Sequence, residues 1–178
     1  MFFFPDTTVL CNFAAVQRLE LLREYVGVSG RWVQAVEAEV RNSAGTHPVL
    51  KSIWVDGWLG KPIRLNGKGE VERVQRFRRL QMFGDAGKPL QHLGESETFV
   101  AAKDRDDLAG SIVLTDDHDA HRVLARYGVS TRDTLDVLQA LVAVGSVTPG
   151  DGLRLCSAMA DADRSLRREP RTEADLCV

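Results

Sequence analysis

Two short, wholly apolar runs in this chain end in aspartate. "FFFPD" closes at Asp6 and "SIVLTD" closes at Asp116. Runs of this kind read as strands buried on both faces. Between and beyond them, apolar residues recur at helical spacing: Val9, Phe13, Val16 and Leu19; Val33, Val36 and Val40; Val71, Val74, Phe77 and Leu80. Buried strands alternating with helices predict an α/β fold, with a central, mostly parallel sheet flanked by helices. Parallel strands carry both aspartates to the same edge of the sheet, and that edge is where sites form in such folds.

The remaining elements follow from spacing and punctuation. "TTVLCNFAAVQRLELLREYV" reads as helix, with Thr7 or Thr8 as its cap. "GVSGRWVQAVEAEVRNSAG" reads as a second helix stopped by Gly45. "HPVLKSIWVDGWLGKPIRLNGKG" mixes strand-like residues with Gly and Pro and is expected to be strand and loop. "EVERVQRFRRLQM" predicts a helix, and "LQHLGESETFVAAK" predicts the opening of another. Ile112–Leu114 is a strand, "HDAHRVLARYG" a helix stopped by Gly128, and "VST" a short strand. Asp133 is placed to cap "TLDVLQALVAVG", and "GDGLRLCSAMADADRSLRR" forms a last helix. One domain is expected over residues 1–165, followed by a polar C-terminal tail, 166–178, that frays.

Bulk properties narrow the partners. A net charge of −2 gives no global positive field to announce a nucleic acid, so any basic surface must be local. Three cysteines without a CxxC point to reduced thiols in a cytoplasmic protein and away from a sulfur-bound metal. "MFFFPDTTVL" lacks a basic start and reaches a charge at Asp6, so it does not read as a signal peptide. No apolar run approaches the ~18–20 residues of a membrane span.

The carboxylates carry the chemistry. Asp6 and Asp116 brought together unpaired would repel, so a compensating cation is expected. Hard oxygen donors select Mg2+ or Mn2+. Neutralising Asp116 would then leave the metal-free protein as stable or more stable. The competing reading makes each aspartate a helix cap. Asp117 adjoins the strand end and can reach the same ion; Asp119 is one position further along the helix start. His118 and His121 raise zinc, but beside exposed acids they read as a solvated face. Glu95 and Glu97 both fall in a first helical turn, where negative charge is favoured anyway. Glu37 and Glu39 both flank the Val33–Val36–Val40 stripe, and a helical wheel does not choose between them. Arg73, Arg76, Arg78 and Arg79 in "RVQRFRRLQ" form either a phosphate-binding face or a solvated one paired with Glu70 and Glu72. Trp54 and Trp58 serve as base platforms or as core.

Four segments in order resemble the PIN-domain nuclease superfamily. "FFFPDTTVLCNF" resembles its first motif, a strand, an Asp, small hydroxyl residues and a helix. "VQAVEAEVRNS" resembles the second, and "HLGESETFVAAK" the GEAE-type helix start of a prokaryotic single-domain branch. "SIVLTDDHDAHRVLARYGV" resembles the fourth, a strand ending in an acidic pair. The resemblance covers residues 1 to about 145 and implies a PIN-like fold. It implies a catalytic set of Asp6, Glu39, Glu95 and Asp116, with Glu39 favoured over Glu37 by its aliphatic successor. Asp6, Glu95 and Asp116, with Asp117, would ligate Mg2+ or Mn2+; Glu39 would orient water; Thr7 and Thr115 would support them. The implied activity is metal-dependent endoribonuclease, leaving 5′-phosphate and 3′-hydroxyl ends. RNA reaching a strongly acidic pocket needs a basic rim for its backbone, and Arg73, Arg76 and Arg79 are the candidates for it. The implied partners are RNA, an antitoxin protein and a second copy of the chain. Two departures stand out: Pro5 precedes the first Asp, and the 46–89 segment is longer than in compact members. Other readings are a non-catalytic RNA-binding or scaffold protein, a DNA-directed nuclease, and a phosphatase or phosphotransferase with an Asp nucleophile. The last lacks its usual second acid, since Thr8 occupies that place, and lacks an evident Lys.

Overall fold

A computed structural model describes residues 1–177. Its centre is a parallel sheet of three short strands, β1 (Phe3–Pro5), β2 (Ile112–Leu114) and β3 (Ser130–Arg132), in the order β1-β2-β3. The register pairs Pro5 with Leu114 and Leu114 with Arg132. Phe4 and Leu114 are fully buried, as a strand covered on both faces requires. Gly30 adds a bridge to the outer side of Phe3.

Nine α-helices surround the sheet among the described residues: α1 (Thr7–Ala15), α2 (Leu19–Val26), α3 (Gln34–Ser43), α4 (Ser52–Val55), α5 (Lys68–Leu80), α6 (Leu93–Asp104), α7 (His118–Arg126), α8 (Thr134–Ala143) and α9 (Pro149–Asp161). Three of them start directly from a strand end. Asp6 caps α1, Asp117 caps α7 through Ala120 N (2.6 Å), and Asp133 caps α8 through Asp136 N (2.9 Å). The strand-to-helix turns therefore deliver acidic side chains to the carboxyl edge of the sheet, as the sequence pattern predicts. α6 packs between α3 and α5 and is buried along most of its length.

Four expectations change, the first being that the last helix stops at Asp161 and does not run on through Arg168. The first helix is two, because Gln17 turns left-handed (φ 57°) and Arg18 N reaches back to Phe13 O (2.9 Å). The 46–63 segment forms no strand. It forms a 3-10 turn (Pro48–Lys51) running into α4, which puts Leu50 and Ile53 on one buried side. Its extended character is confined to one bridge, Val33 to Ile63. The C-terminal tail docks instead of fraying: Leu166 and Leu176 are buried, and a 3-10 turn (Glu173–Leu176) packs on α8 and α9. A Cβ at Gly152 would stand 3.0 Å from Leu176 Cδ1, so glycine makes that seat.

Candidate active site

Asp6 accepts the Thr8 hydroxyl at 2.8 Å, and the same hydroxyl accepts Asp116 N at 3.3 Å. Thr8 thus stitches the two strand ends together. Asp6 is 8% exposed, and burial raises its carboxyl above the ordinary range. The Thr8 and Thr7 donors pull it back down, and Asp117 pushes it up again.

Glu39 comes in from α3. Its Oε2 accepts the Thr7 hydroxyl at 2.5 Å, and its Oε1 lies 3.2 Å from where a Cβ would stand at residue 94. The glycine before Glu95 is therefore steric: alanine at 94 would press on both Glu39 and Val36. Burial, then Asp6 and Glu97, raise the Glu39 carboxyl against the Thr7 hydrogen bond. Glu37 faces the other way and pairs with Arg41 at 2.8 Å, so the α3 wheel resolves in favour of Glu39 at the cluster.

Glu95 lies in the first turn of α6, after His92 turns left-handed (φ 57°). Burial, then the charges of Asp6, Glu39 and Asp117, push its carboxyl up to about 8. Glu97 does a different job: its carboxylate accepts Ala35 N at 2.9 Å, holding the open N-terminus of α3. A two-residue step turns a helix by roughly 200°, which sends the two glutamates to different places.

Asp117 completes the group, acting on both Asp6 and Glu95. Its own amide is fixed by the Thr115 hydroxyl at 3.1 Å. Among the described residues, Asp6, Glu39 and Asp117 make no ion pair, and Glu95 approaches only His92 (3.4 Å). Four carboxylates from four chain regions thus act on one another electrostatically, and none of them is paired with a lysine or arginine among the described residues.

A family model of the PIN domain matches residues 3–169. The chain belongs to the PIN-domain family. Comparison with curated proteins and with solved structures returns no match. PIN domains are generally nucleases, so nuclease-type hydrolysis is the activity that the family brings, and its nucleases typically use divalent metal ions.

The donor set of this PIN domain fits such an ion in kind. It is all oxygen, anionic and uncompensated. Among the described residues no three His, Cys, Asp or Glu side chains close on one point as a ready metal cage. Mg2+ does not need one, since it keeps most of its waters and takes one or two carboxylates directly.

Asp116 departs from its expected place in the cluster. Its Oδ2 accepts Thr134 Oγ1 (2.5 Å) and Asn12 Nδ2 (2.9 Å), and its Oδ1 accepts Arg167 N (3.2 Å) and Thr134 N (3.3 Å). A carboxylate has about four lone-pair sites, and all are occupied. Burial raises its carboxyl above the ordinary range against these hydrogen bonds, and Asp133 pushes it further in the same direction. Asp133 in turn is closed off by Arg167 and Arg168, each at 2.6 Å. Sequence reasoning missed this second network because its arginines fall where the expected last helix runs into the tail, with no motif spacing to Asp133.

The basic face of α5 is not brought to the carboxylates. Arg73 pairs with Asp104 at 2.6 Å, at the far end of α6 from Glu95, nine residues or roughly 13 Å along the axis. Arg73 and Arg76 rim a cleft of about 410 Å³ floored by Phe77, Phe99 and Tyr127. Arg79 bonds to Gln75 O of its own helix, and buried Arg78 ties down the 85–91 loop through the carbonyls of Asp85, Lys88 and Gln91. Trp54 lies under the Arg41 guanidinium (4.5 Å), and Trp58 packs on the core. His121 is held by Thr131 at 2.7 Å.

Proposed function

We propose that this PIN domain is an endoribonuclease dependent on Mg2+ or Mn2+. The observation that carries this reading is the uncompensated group Asp6, Glu39, Glu95 and Asp117, which invites a hard cation and with it a phosphodiester. Asp6 and Asp117, at adjacent strand ends, would hold the ion with Glu95. Bound there, a divalent ion lowers the pKa of water and offsets charge on the phosphate. Glu39 is fixed by Thr7 and raised by burial, which suits a base that orients the attacking water and takes its proton. Asp116 is a positioning residue: it fixes Asn12, Thr134 and the Arg167 amide behind the acidic group. In-line attack by that water would break the bond from phosphorus to the 3′ oxygen, which leaves and takes a proton from solvent, giving 5′-phosphate and 3′-hydroxyl ends.

The GEAE-like "HLGESETFVAAK" supports a place in the prokaryotic single-domain branch, and with it a role as the toxin of a toxin–antitoxin pair. Val71, Leu80, Phe83 and Leu90, exposed on α5 and the loop after it, support an antitoxin or a second copy as a covering partner. The test is incubation of the purified chain with mixed single-stranded RNA, and separately with single-stranded DNA, in Mn2+, in Mg2+ and in EDTA. The reading expects RNA cleavage with metal, none in EDTA, and a large loss in Glu95→Gln. Cleavage that is unchanged by EDTA or by Glu95→Gln would overturn it. Preferential cutting of DNA would transfer the same residues to a DNA-directed nuclease.

A further inference from the structure

Beyond α9, residues 164–168 cross the carboxyl edge of the sheet as a strap carrying three arginines. Two are neutralised: Arg167 pairs with Asp133, and Arg168 pairs with Asp133 and Asp136. Arg164 is held differently. Its Nε donates to the amide oxygen of Asn12 at 3.1 Å, and among the described residues it makes no ion pair. Asn12 is fully buried, and its amide nitrogen is engaged by Asp116 Oδ2 (2.9 Å), Ser165 O (3.3 Å) and Thr134 Oγ1 (3.4 Å). That leaves its oxygen facing Arg164, so the tether cannot flip without losing all three contacts. The terminal nitrogens of Arg164 have no protein partner among the described residues. Arg164 lines a groove of about 390 Å³ together with Thr8, Asp116, Asp117, His118, Asp119 and Asp163.

A half-buried guanidinium held by a neutral amide, with its charge unmatched, is an unusual arrangement beside so many carboxylates. The groove as a whole is acidic and repels a phosphodiester. A fixed cation in its wall reverses that at one point. The guanidinium fork matches two phosphate oxygens, and the tether through Nε leaves that fork free while removing much of its rotamer freedom. We propose that Arg164 anchors a backbone phosphate of the nucleic-acid strand in the groove between the start of α7 and the strap, adjoining the phosphodiester to be cut. This rests on the nuclease reading for the identity of the strand, while the anion site itself rests on the Asn12–Arg164 geometry.

The test is fluorescence anisotropy of a labelled short single-stranded RNA against the full chain in EDTA, over a salt series, for wild type, Arg164→Ala and Arg164→Gln. Glutamine keeps an amide donor for Asn12 while removing the charge, so it separates the phosphate contact from support of the strap. Both variants should bind roughly tenfold more weakly, as loss of one charge-assisted contact implies. The slope of log affinity against log salt should flatten by about 0.7, the value for one phosphate on a single strand. Affinity and slope equal to wild type in Arg164→Gln would overturn the assignment, whatever the cleavage assay gives. Weaker binding in Arg164→Ala alone, with Arg164→Gln like wild type, would also overturn it and make Arg164 a strap residue only. If the salt slope flattens but wild type cuts no RNA in Mn2+, the anion site stands and the nuclease reading falls.

Discussion

Asp6 and Asp133 occupy equivalent places at the ends of the two outer strands, β1 and β3, and each caps the helix that follows. Their surroundings are opposite. Burial would raise the Asp133 carboxyl, but hydrogen bonds from Arg168 and the Asp136 amide, with the charges of Arg168 and Arg167, hold it below the ordinary range. Burial raises Asp6 as well, and its charged neighbours are more carboxylates. One strand end is electrostatically closed and the other left open. The strand-end position delivers an acid to the edge in both cases; what distinguishes structure from function is which distant segment arrives beside it. At β3 the strap brings arginines, and at β1 helices α3 and α6 bring glutamates.

Removing the closed partner should break the fold hardest. Asp133→Ala leaves the largely buried Arg167 without its partner, leaves Arg168 with Asp136 alone and removes a helix cap, so guanidinium chloride denaturation should show a loss of about 3 kcal/mol. A loss near that of an exposed ion pair would place Asp133 in the wrong class. Asp116→Asn comes next. The sequence alone suggests relief of repulsion, but the structure reverses that sign. The introduced amide nitrogen would face other donors, and stability should fall by about 1–3 kcal/mol. Equal or greater stability in the same denaturation experiment would return Asp116 to the acidic group.

The two ends should also respond to pH in opposite senses. Asp133 has a depressed folded value, so its contribution is present above its ordinary value of 3.8 and is lost as pH falls through the lower folded value. Glu95 has a raised folded value, so its contribution is present below 4.5 and is lost as pH rises towards about 8. In EDTA, wild type should therefore lose stability relative to Glu95→Gln between pH 5 and pH 8, a window set by those two values. Parallel curves for the two proteins would remove the contrast. The smallest effect is expected at Arg73. Its pair with Asp104 is solvent-exposed, and Arg73→Ala should cost about 0–1 kcal/mol in a thermal melt. A larger loss would mean that the α5 cleft depends on that pair.

Much of this contrast was legible before the fold. The apolar runs ending at Asp6 and Asp116 imply the parallel sheet and its acidic edge, and the place of Asp133 before "TLDVLQALV" marks it as a cap. Glu95 and Glu97 separated by helical rotation, once family resemblance supplied the choice. The role of Asp116 was not legible, because its partners Asn12, Thr134 and Arg167 lie 104, 18 and 51 residues away and none has a motif spacing. The strap was hidden for a related reason: "DADRSLRR" reads as the end of the last helix, and only the buried carboxylate of Asp133 gives its arginines a reason to leave that helix. The α5 arginines failed in the other direction. Their spacing shows a basic face, but spacing does not say which end of α6 that face adjoins.

The central claim is that the Asp6–Glu39–Glu95–Asp117 group is left open for a cation. It is tested most directly by the thermal melts of wild type and Glu95→Gln, each in EDTA and in excess Mn2+. In EDTA, Glu95→Gln should melt at or above wild type, since it removes a carboxyl that burial and its acidic neighbours raise to about 8. Mn2+ should raise the wild-type melting temperature, by an amount corresponding to about 2.7 kcal/mol at a hundredfold excess over Kd, and should raise Glu95→Gln much less. If Glu95→Gln melts below wild type in EDTA and Mn2+ moves neither protein, the group is a structural feature and the account is contradicted.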